Sequence, residues 1–309
     1  MIAFYSLLAI LALYVVFVAA PTLVVCLSVF CKKQGIPLTQ RDLSETYYAP
    51  YVPRLREEAA WFGSRSCRRV TACAFDGATL EADYYAAGSS KLVICMHGYG
   101  STPLNAYSVM GHFLMDRGYD LLFVYQRGHG ISGGKRSTMG ILEQEDVLTW
   151  ANWACGRPEL DTVILAGQSM GCAAVSYASD RLQNPKIKGM ILDCGFLSPY
   201  SQMRRTCLER HLPPKLMMSH VRFFAKHLLG IDITRPVTDS LRRTSIPALF
   251  MHGAEDRAVP LAEVQETFDA CASPKQLYVA PAGRHACAFL MGGAEAEAAV
   301  AAFLNSISG

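Results

Sequence analysis

Apolar residues recur along this chain in short runs, and the segments between these runs show helical periodicity. Such short apolar or alternating runs predict strands, whereas a spacing of three to four residues predicts helices. The predicted strands cover residues 68–75, 79–86, 91–96, 120–125, 162–166, 188–193, 246–251 and 275–280. The predicted helices cover residues 50–64, 105–117, 141–155, 172–178, 261–270 and the C-terminal segment. Strands that alternate with helices indicate an α/β fold with a mostly parallel sheet flanked by helices.

The N-terminal segment is apolar throughout, with no charged residue from Ile2 to Phe30. About 20 apolar residues suffice to span a bilayer, and the segment lacks the basic start and the cleavage site of a secretory signal. We therefore predict a transmembrane anchor over residues 1–31, which makes the membrane a partner through this N-terminal helix. A linker and an N-terminal helix are expected over residues 32–66, and the main domain over residues 67–309.

Basic residues follow this apolar segment, beginning with Lys32 and Lys33, and none precedes it. Basic residues that flank a span tend to stay on the cytoplasmic side of the membrane. The sequence therefore predicts a single-pass membrane protein whose main domain lies in the cytoplasm.

The composition argues against several kinds of site. The formal net charge is +3 and no basic cluster is interleaved with aromatic residues, so nucleic acid is not an expected partner. The eleven cysteines form no C-x-x-C pair and no Cys/His cluster with zinc-ligand spacing, so we predict neither a metal nor a cofactor. Free cysteines in apolar contexts are typical of a reducing compartment. The sequence does not indicate an oligomeric state.

One pentapeptide, Gly167-Gln168-Ser169-Met170-Gly171, lies between a predicted buried strand and a predicted helix. Strand, G-x-S-x-G and helix together are typical of a nucleophile elbow, a tight turn that exposes its serine above the sheet. Glycines are needed on either side because side chains there would collide with neighbouring backbone. Ser169 is therefore the candidate nucleophile.

A serine hydroxyl becomes a good nucleophile only when a base takes its proton, and a third group must orient that base. Hydrolases with such an elbow carry first the acid and then the histidine after the serine. His285 is the histidine that follows the acidic loop after the strand at 246–251, so we predict it as the base. Asp256 in that loop is the preferred acid, with Asp193 at the end of the preceding strand and Glu255 as alternatives.

The tetrahedral intermediate of such a reaction needs two N–H donors, which together form an oxyanion hole. The backbone N–H of Met170, directly after the nucleophile, is one candidate. Tyr99, in the loop after the strand at 91–96, is the other. His97 and His129 lie in glycine-rich loops nearby and are expected to brace those loops rather than to catalyse.

From about Leu92 to the C-terminus, the chain resembles the serine-hydrolase branch of the α/β-hydrolase fold. Within that branch it is most similar to the prolyl-aminopeptidase-like and monoacylglycerol-lipase-like group, in particular to bacterial membrane-anchored members. The motifs that carry the resemblance are HGYGS at 97–101, RGHGIS at 127–132, GQSMG at 167–171, IPALFMHGAEDRAVP at 246–260 and GRHA at 283–286. Group members often carry Asp two residues before the Arg of RGHG, where this chain has Tyr125, so a different bracing of that loop is expected.

The strand–helix alternation is interrupted between residues 195 and 245, where the resemblance implies a cap and we predict a helical lid insertion. Four apolar residues and three basic residues mark opposite faces of one helix in it: Met217, Val221, Phe224 and Leu228, against Lys215, Arg222 and Lys226. We expect this helix to pack on the domain through its apolar face. The alternative is a lid helix that covers an acyl pocket and turns its basic face to anionic lipid headgroups.

Together these features predict a serine hydrolase that cleaves small-molecule or lipid-like carboxylic esters, of the esterase, lysophospholipase or monoacylglycerol-lipase type. One alternative is a serine aminopeptidase, although few acidic residues in the lid insertion could hold a substrate amino group. The other is a catalytically silent, membrane-tethered binding protein, which would have no need to keep Ser169 and His285.

Overall fold

The computed structural model describes residues 1–31 and 46–307. Its centre is an eight-stranded sheet with the strand order β1-β2-β4-β3-β5-β6-β7-β8. The strands are β1 Arg68–Cys73, β2 Thr79–Tyr85, β3 Lys91–Met96, β4 Asp120–Tyr125, β5 Thr162–Gln168, β6 Ile187–Asp193, β7 Ala248–Gly253 and β8 Lys275–Ala280. β2 is antiparallel to both β1 and β4, and all the other pairs are parallel. The α/β fold predicted from the strand pattern is confirmed.

Helices cover both faces of this sheet. The α-helices of the described residues are α1 Ile2–Tyr14, α2 Ala20–Phe30, α3 Val52–Gly63, α4 Pro103–Met115, α5 Glu143–Cys155, α6 Met170–Ala178, α7 Pro199–Glu209, α8 Pro214–Phe224, α9 Thr238–Leu241, α10 Leu261–Ala270 and α11 Ala288–Ser306. Successive side chains of a strand point to opposite faces, so each face of β3 contributes to a different core. Leu92 and Ile94 pack with α5 and α6, whereas Val93 and Cys95 pack with α3, α4 and α11.

Among residues 1–31 and 46–307, no helix is both long and apolar enough to cross a membrane. The transmembrane anchor predicted over residues 1–31, and the single-pass membrane localisation that depended on it, are therefore wrong. The apolar segment is divided into α1, a π-helical turn over Val15–Ala19, and α2. Pro21 lies in the first turn of α2, and because it has no N–H group it cannot donate a hydrogen bond to the preceding turn.

The second half of this segment is part of the folded domain. Thr22, Cys26 and Phe30 of α2 are buried, and the last two belong to the core on the α5–α6 face of the sheet. The carbonyl of Phe30 accepts a hydrogen bond from the Ser137 N–H at 3.1 Å. Hydropathy alone does not distinguish such a docked helix from a spanning one, which is why the sequence prediction failed here. Of the region predicted as a linker and N-terminal helix, 32–66, residues 32–45 lie outside the described residues.

Between β6 and β7 the chain forms α7, α8 and the short α9, the segment predicted as a lid insertion. A π-helical turn over Ala225–Leu229 extends α8. The buried face of this helix carries Met218, Val221 and Ala225, so it is rotated from the predicted face, and Leu228 is 52% exposed. α8 packs against α2, where the Thr22 hydroxyl lies 3.4 Å from the Met217 sulfur. Packing on the domain is thus the observed arrangement of this helix.

A buried ion pair braces the loop in which Tyr125 replaces the expected aspartate. The Arg127 guanidinium donates to both carboxylate oxygens of Asp146, at 2.7 and 2.6 Å, and to Asp76 at 2.9 Å. The side chains of Arg127 and Asp146 are only 2% and 0% exposed. Burial raises the pKa of Asp146 to about 6, and its hydrogen bonds with Arg127 oppose that rise. The Tyr125 hydroxyl instead donates to Asp83 on β2 at 2.9 Å.

Replacing Arg127 with Met should leave the buried Asp146 carboxylate without its partner. Breaking a buried ion pair in this way costs about 3–5 kcal/mol. We therefore expect Arg127→Met to lower the free energy of unfolding by that amount in urea denaturation at pH 7. Arg242→Met, which removes an exposed pair with Asp239, is the matched control and should change it by less than about 0.5 kcal/mol. Equal effects of the two substitutions would contradict this account of Arg127.

Candidate active site

Ser169 lies in the tight turn between β5 and α6, with φ 53° and ψ −111°. This backbone conformation is unfavourable for a residue with a side chain and is maintained by the surrounding packing. A Cβ at Gly171 would lie 1.9 Å from the Met96 carbonyl oxygen, and one at Gly167 would lie 2.5 Å from the Gly171 carbonyl oxygen. Both flanking glycines are therefore required by sterics. The Ser169 N–H also donates to the Asp193 carbonyl at 2.8 Å, which attaches the turn to β6.

Three side chains from distant parts of the chain lie in line at this turn. The Ser169 hydroxyl lies 3.0 Å from Nε2 of His285, and Nδ1 of His285 lies 2.7 Å from a carboxylate oxygen of Asp256. The other oxygen of Asp256 accepts the N–H groups of Ala258 and Val259, at 2.8 and 2.9 Å. Because its lone pairs are occupied in this way, the carboxylate is held in one orientation behind the imidazole.

His285 lies in the loop that follows β8, and Asp256 lies in the loop that follows the neighbouring strand β7. The Asp256 side chain is fully buried, whereas that of His285 is 26% exposed. A Cβ at Gly253 would lie 2.2 Å from the Gly283 carbonyl oxygen, so the two loops touch. The alternative acid Glu255 is exposed and pairs with Arg284 at 3.5 Å, outside this line of side chains.

The loop after β3 lies against the nucleophile. A Cβ at Gly98 would be in van der Waals contact with Cβ of Ser169, at 3.4 Å, which brings the adjoining Tyr99 to the same edge of the sheet. Met170 is the first residue of α6, and N–H groups in the first turn of a helix have no partner within that helix. Met170 thus follows Ser169 directly, and Tyr99 lies next to Gly98 in the loop that approaches it. The side chain of Tyr99 points elsewhere, and its hydroxyl donates to the Val29 carbonyl of α2 at 2.6 Å.

Two buried histidines connect this loop to the loop after β4. His97 contacts the Gly98 carbonyl through Nδ1 at 2.7 Å, and its Nε2 accepts the Gln126 N–H at 3.2 Å. Burial, assisted by the nearby His129, lowers the pKa of His97 to about 3, so this imidazole is neutral. Nε2 of His129 accepts the Gly100 N–H at 3.0 Å. Both histidines thus have the bracing contacts that were expected of them.

Part of the chain is similar to known proteins. Residues 88–233 match the family model described as serine aminopeptidase, S33. An uncharacterised Bacillus subtilis protein, YqkD, is 29% identical over 205 residues, which are 65% of this chain and 66% of that protein. The human protein ABHD12B is 26% identical over 207 residues, which are 65% of this chain and 55% of that protein. The matched region therefore spans less than two thirds of either relative.

Solved structures share the architecture more completely. The Pyrococcus furiosus esterase Pf2001 superposes with a TM-score of 0.68 at 23% identity, covering 90% of this chain and 100% of the esterase. Est1E from Butyrivibrio proteoclasticus, solved with ferulic acid bound, superposes with a TM-score of 0.59 at 21% identity, covering 78% of this chain and 100% of Est1E. These superpositions show that the chain has the α/β-hydrolase fold.

A cavity of about 440 Å³ lies beside Ser169 and His285. Its walls contain both polar and apolar side chains, and the apolar and aromatic ones include Leu55, Tyr107, Met110, Phe196, Phe289 and Leu290. Tyr47 and Tyr48, from the region predicted as linker, also line it, and the Tyr47 hydroxyl donates to the His285 carbonyl at 3.5 Å. Sequence analysis missed these two tyrosines. The available signal was an aromatic pair in an otherwise polar segment.

Asp193 lies close to the side chains of His285 and Asp256 but is not hydrogen-bonded to His285. It ends β6 directly opposite Gln168 and is 4% exposed. Burial raises the pKa of Asp193 to about 7, and the nearby His285 and Gln168 oppose that rise. One of its carboxyl oxygens has no hydrogen-bond partner. Of the acids considered from the sequence, it is Asp256 that contacts the imidazole of His285.

The thiol of Cys194 lies in the same cluster, with its sulfur within 4.8 Å of ligand atoms of Asp256 and His285. Metals in proteins bind the thiolate rather than the thiol. Burial, together with the neighbouring carboxylates of Asp193 and Asp256, raises the pKa of Cys194 well above its usual value. The cluster is therefore poorly suited to a metal and well suited to a hydrogen-bonded triad.

The raised pKa of Asp193 makes the stability of the folded protein depend on pH. The unfolded chain releases this proton near pH 3.8 and the folded protein releases it near pH 7, so the folded state binds more protons between those values. The free energy of unfolding therefore falls as pH rises through this window. Asn does not titrate, so the stability of Asp193→Asn relative to wild type should increase by roughly 3 kcal/mol from pH 4 to pH 7, at about 1.4 kcal/mol per pKa unit.

Urea denaturation at several pH values between 4 and 8 measures this difference. Asp239→Asn, at an exposed position, is the matched control, and its difference from wild type should stay flat. A flat difference for Asp193→Asn as well would contradict the burial argument.

Proposed function

We propose that this hydrolase cleaves carboxylic esters through a Ser169-His285-Asp256 triad and an acyl-enzyme intermediate. The proposed substrates are small or lipid-like esters of the esterase, lysophospholipase or monoacylglycerol-lipase type. The observation that carries the proposal is the pair of contacts on His285, 3.0 Å to the Ser169 hydroxyl and 2.7 Å to Asp256. Both distances fall within hydrogen-bond reach, which a nucleophile, its base and the orienting acid need.

In this mechanism Asp256 accepts the Nδ1–H of His285, which leaves the Nε2 lone pair facing the Ser169 hydroxyl. Ser169 attacks the ester carbonyl while its proton passes to Nε2, and the Asp256 carboxylate stabilises the imidazolium that forms. The N–H groups of Met170 and Tyr99 would hold the oxyanion of the tetrahedral intermediate. His285 then returns the proton to the leaving alcohol. Water, deprotonated by the same imidazole, releases the acid from the serine.

A serine aminopeptidase is the second candidate, because the matching family model carries that description. Such an enzyme must hold a substrate ammonium group against carboxylates. Of the described residues that line the cavity, Asp193 is the one with a carboxylate, and burial raises its pKa to about 7. A carboxyl group that is about half protonated at neutral pH is a weak anchor for an ammonium group. This favours esters over aminoacyl amides.

A fluorophosphonate probe tests the nucleophile. The wild-type protein should be labelled, and Ser169→Ala should lose both the label and about 10⁶-fold in kcat on p-nitrophenyl butyrate. Ser219→Ala, on the exposed side of α8, is the matched control and should keep both. Labelling that survives in Ser169→Ala would contradict the proposal, as would a wild-type protein that is not labelled. Faster hydrolysis of aminoacyl-naphthylamides than of p-nitrophenyl esters would favour the aminopeptidase instead.

A further inference from the structure

The end of α2 contacts the loop after β3 and the loop after β4. The Tyr99 hydroxyl donates to the Val29 carbonyl at 2.6 Å, and the Ser137 N–H donates to the Phe30 carbonyl at 3.1 Å. Val29 and Phe30 are the last two residues of α2, and carbonyl groups in the last turn of a helix have no partner within that helix. Both bonds therefore occupy acceptors that the helix itself leaves open.

Each bond leads to one of the two predicted oxyanion donors. Tyr99 is itself the residue whose N–H is one of these donors. The hydroxyl of Ser137 donates to the sulfur of Met170, the residue of the other donor, at 3.2 Å. Ser137 and Met170 are both 0% exposed, and Phe30 is 1% exposed. The end of α2 is thus connected to each donor through a single residue.

These connections bear on catalysis because an oxyanion hole works only at close range. Its donors must lie about 2.7–3.1 Å from the position of the oxyanion. Displacing a group in an active site by about 1 Å can cost about 100-fold in rate. Tyr99 lies between Gly98 and Gly100, and Gly100 has φ 65°. Because glycine restricts the backbone least, an anchored side chain at Tyr99 limits the positions that its own N–H can take.

The attachment of α2 to the domain does not depend on the Tyr99 hydroxyl alone. Cys26 and Phe30 pack into the core, and the Thr22 hydroxyl lies 3.4 Å from the Met217 sulfur. These contacts remain when the Tyr99 hydroxyl is removed. A purely structural role of that hydroxyl would therefore leave the catalytic rate unchanged, whereas a positioning role would lower it.

We propose that the end of α2 positions the oxyanion hole, with Tyr99 and Ser137 as the positioning residues through which it acts. The inference rests on the proposed ester hydrolysis, since that reaction is what requires an oxyanion hole. The family match covers residues 88–233, which contain both of these residues but not α2. A helix outside the matched region thus influences the rate of a reaction carried out within it.

The test removes the Tyr99 hydroxyl and keeps its backbone N–H. Losing an oxyanion donor costs about 10²–10³ in kcat, and displacing one costs less, so Tyr99→Phe should lose about tenfold in kcat on p-nitrophenyl butyrate. Its KM should stay close to that of wild type. Trifluoromethyl propyl ketone forms an adduct with the serine that carries an oxyanion. A transition-state analogue of this kind should bind Tyr99→Phe about tenfold more weakly, in parallel with kcat.

Two further variants test the other connections. Ser137→Ala removes the contact with Met170 and keeps the N–H that binds the Phe30 carbonyl. Because a thioether sulfur is a weak acceptor, we expect a smaller loss, about threefold, in both kcat and ketone affinity. This milder variant tests the proposal even if Tyr99→Phe does not fold.

Val29→Gly loosens the last turn of α2, on the other side of the bond to Tyr99. It should lower kcat as well. Because both changes weaken the same bond, the double variant with Tyr99→Phe should lose less than the product of the two single losses. A wild-type kcat in Val29→Gly, or losses that simply multiply, would contradict a role of the helix.

Tyr177→Phe is the matched control. The Tyr177 hydroxyl donates to the Arg235 carbonyl at 2.6 Å, a bond of the same kind and length, and neither residue lines the cavity beside Ser169. Tyr99→Phe and Tyr177→Phe should lower the urea midpoint by similar amounts. Tyr177→Phe should nevertheless keep the wild-type kcat and ketone affinity.

The outcomes separate this inference from the proposed function. If wild type hydrolyses the ester and is labelled at Ser169, but Tyr99→Phe or Ser137→Ala keeps the wild-type kcat and ketone affinity, this inference alone is overturned. A change confined to KM would also overturn it. If wild type neither hydrolyses the ester nor reacts with the fluorophosphonate probe, the proposed function fails and this inference fails with it.

Discussion

The site depends on how closely α6 approaches the end of β3. A Cβ at Gly171 would lie 1.9 Å from the Met96 carbonyl oxygen, so only glycine permits the first turn of α6 to start where it does. Met96 and Gly167 are register partners in the neighbouring strands β3 and β5. The same close approach places the loop after β3 against Ser169. It therefore fixes the position of Ser169 relative to the candidate oxyanion donors. A larger side chain at position 171 would move the helix and separate them.

Asp256 and His285 reach Ser169 because of the strand order. β5, β6, β7 and β8 are consecutive parallel neighbours, so their carboxyl ends lie along one edge of the sheet. Ligands in open α/β sheets bind at that edge. Asp193 ends β6, Asp256 follows β7 and His285 follows β8, and two of these loops touch at Gly253 and Gly283. Residues separated by more than a hundred positions therefore meet within hydrogen-bond distance.

Much of this could be predicted from the sequence because it depends on local patterns. The apolar runs predicted the sheet, the turn glycines predicted the elbow, and chain order singled out His285. Features set by long-range packing could not be predicted. An apolar run has the same hydropathy whether it spans a bilayer or, as at Cys26 and Phe30, packs into a core. The choice between Asp193 and Asp256 likewise depends on a contact between loops.

The central claim is that Asp256 holds the imidazole of His285 toward Ser169. Its most direct test is the kcat of Asp256→Asn on p-nitrophenyl butyrate. An Asn at this position keeps the shape but favours the wrong imidazole tautomer, and the corresponding change in a serine protease triad costs about 10⁴-fold. We expect a loss of that size, with far-ultraviolet circular dichroism unchanged. A kcat within about tenfold of wild type, a loss of less than about 1.4 kcal/mol of transition-state stabilisation, would contradict the account.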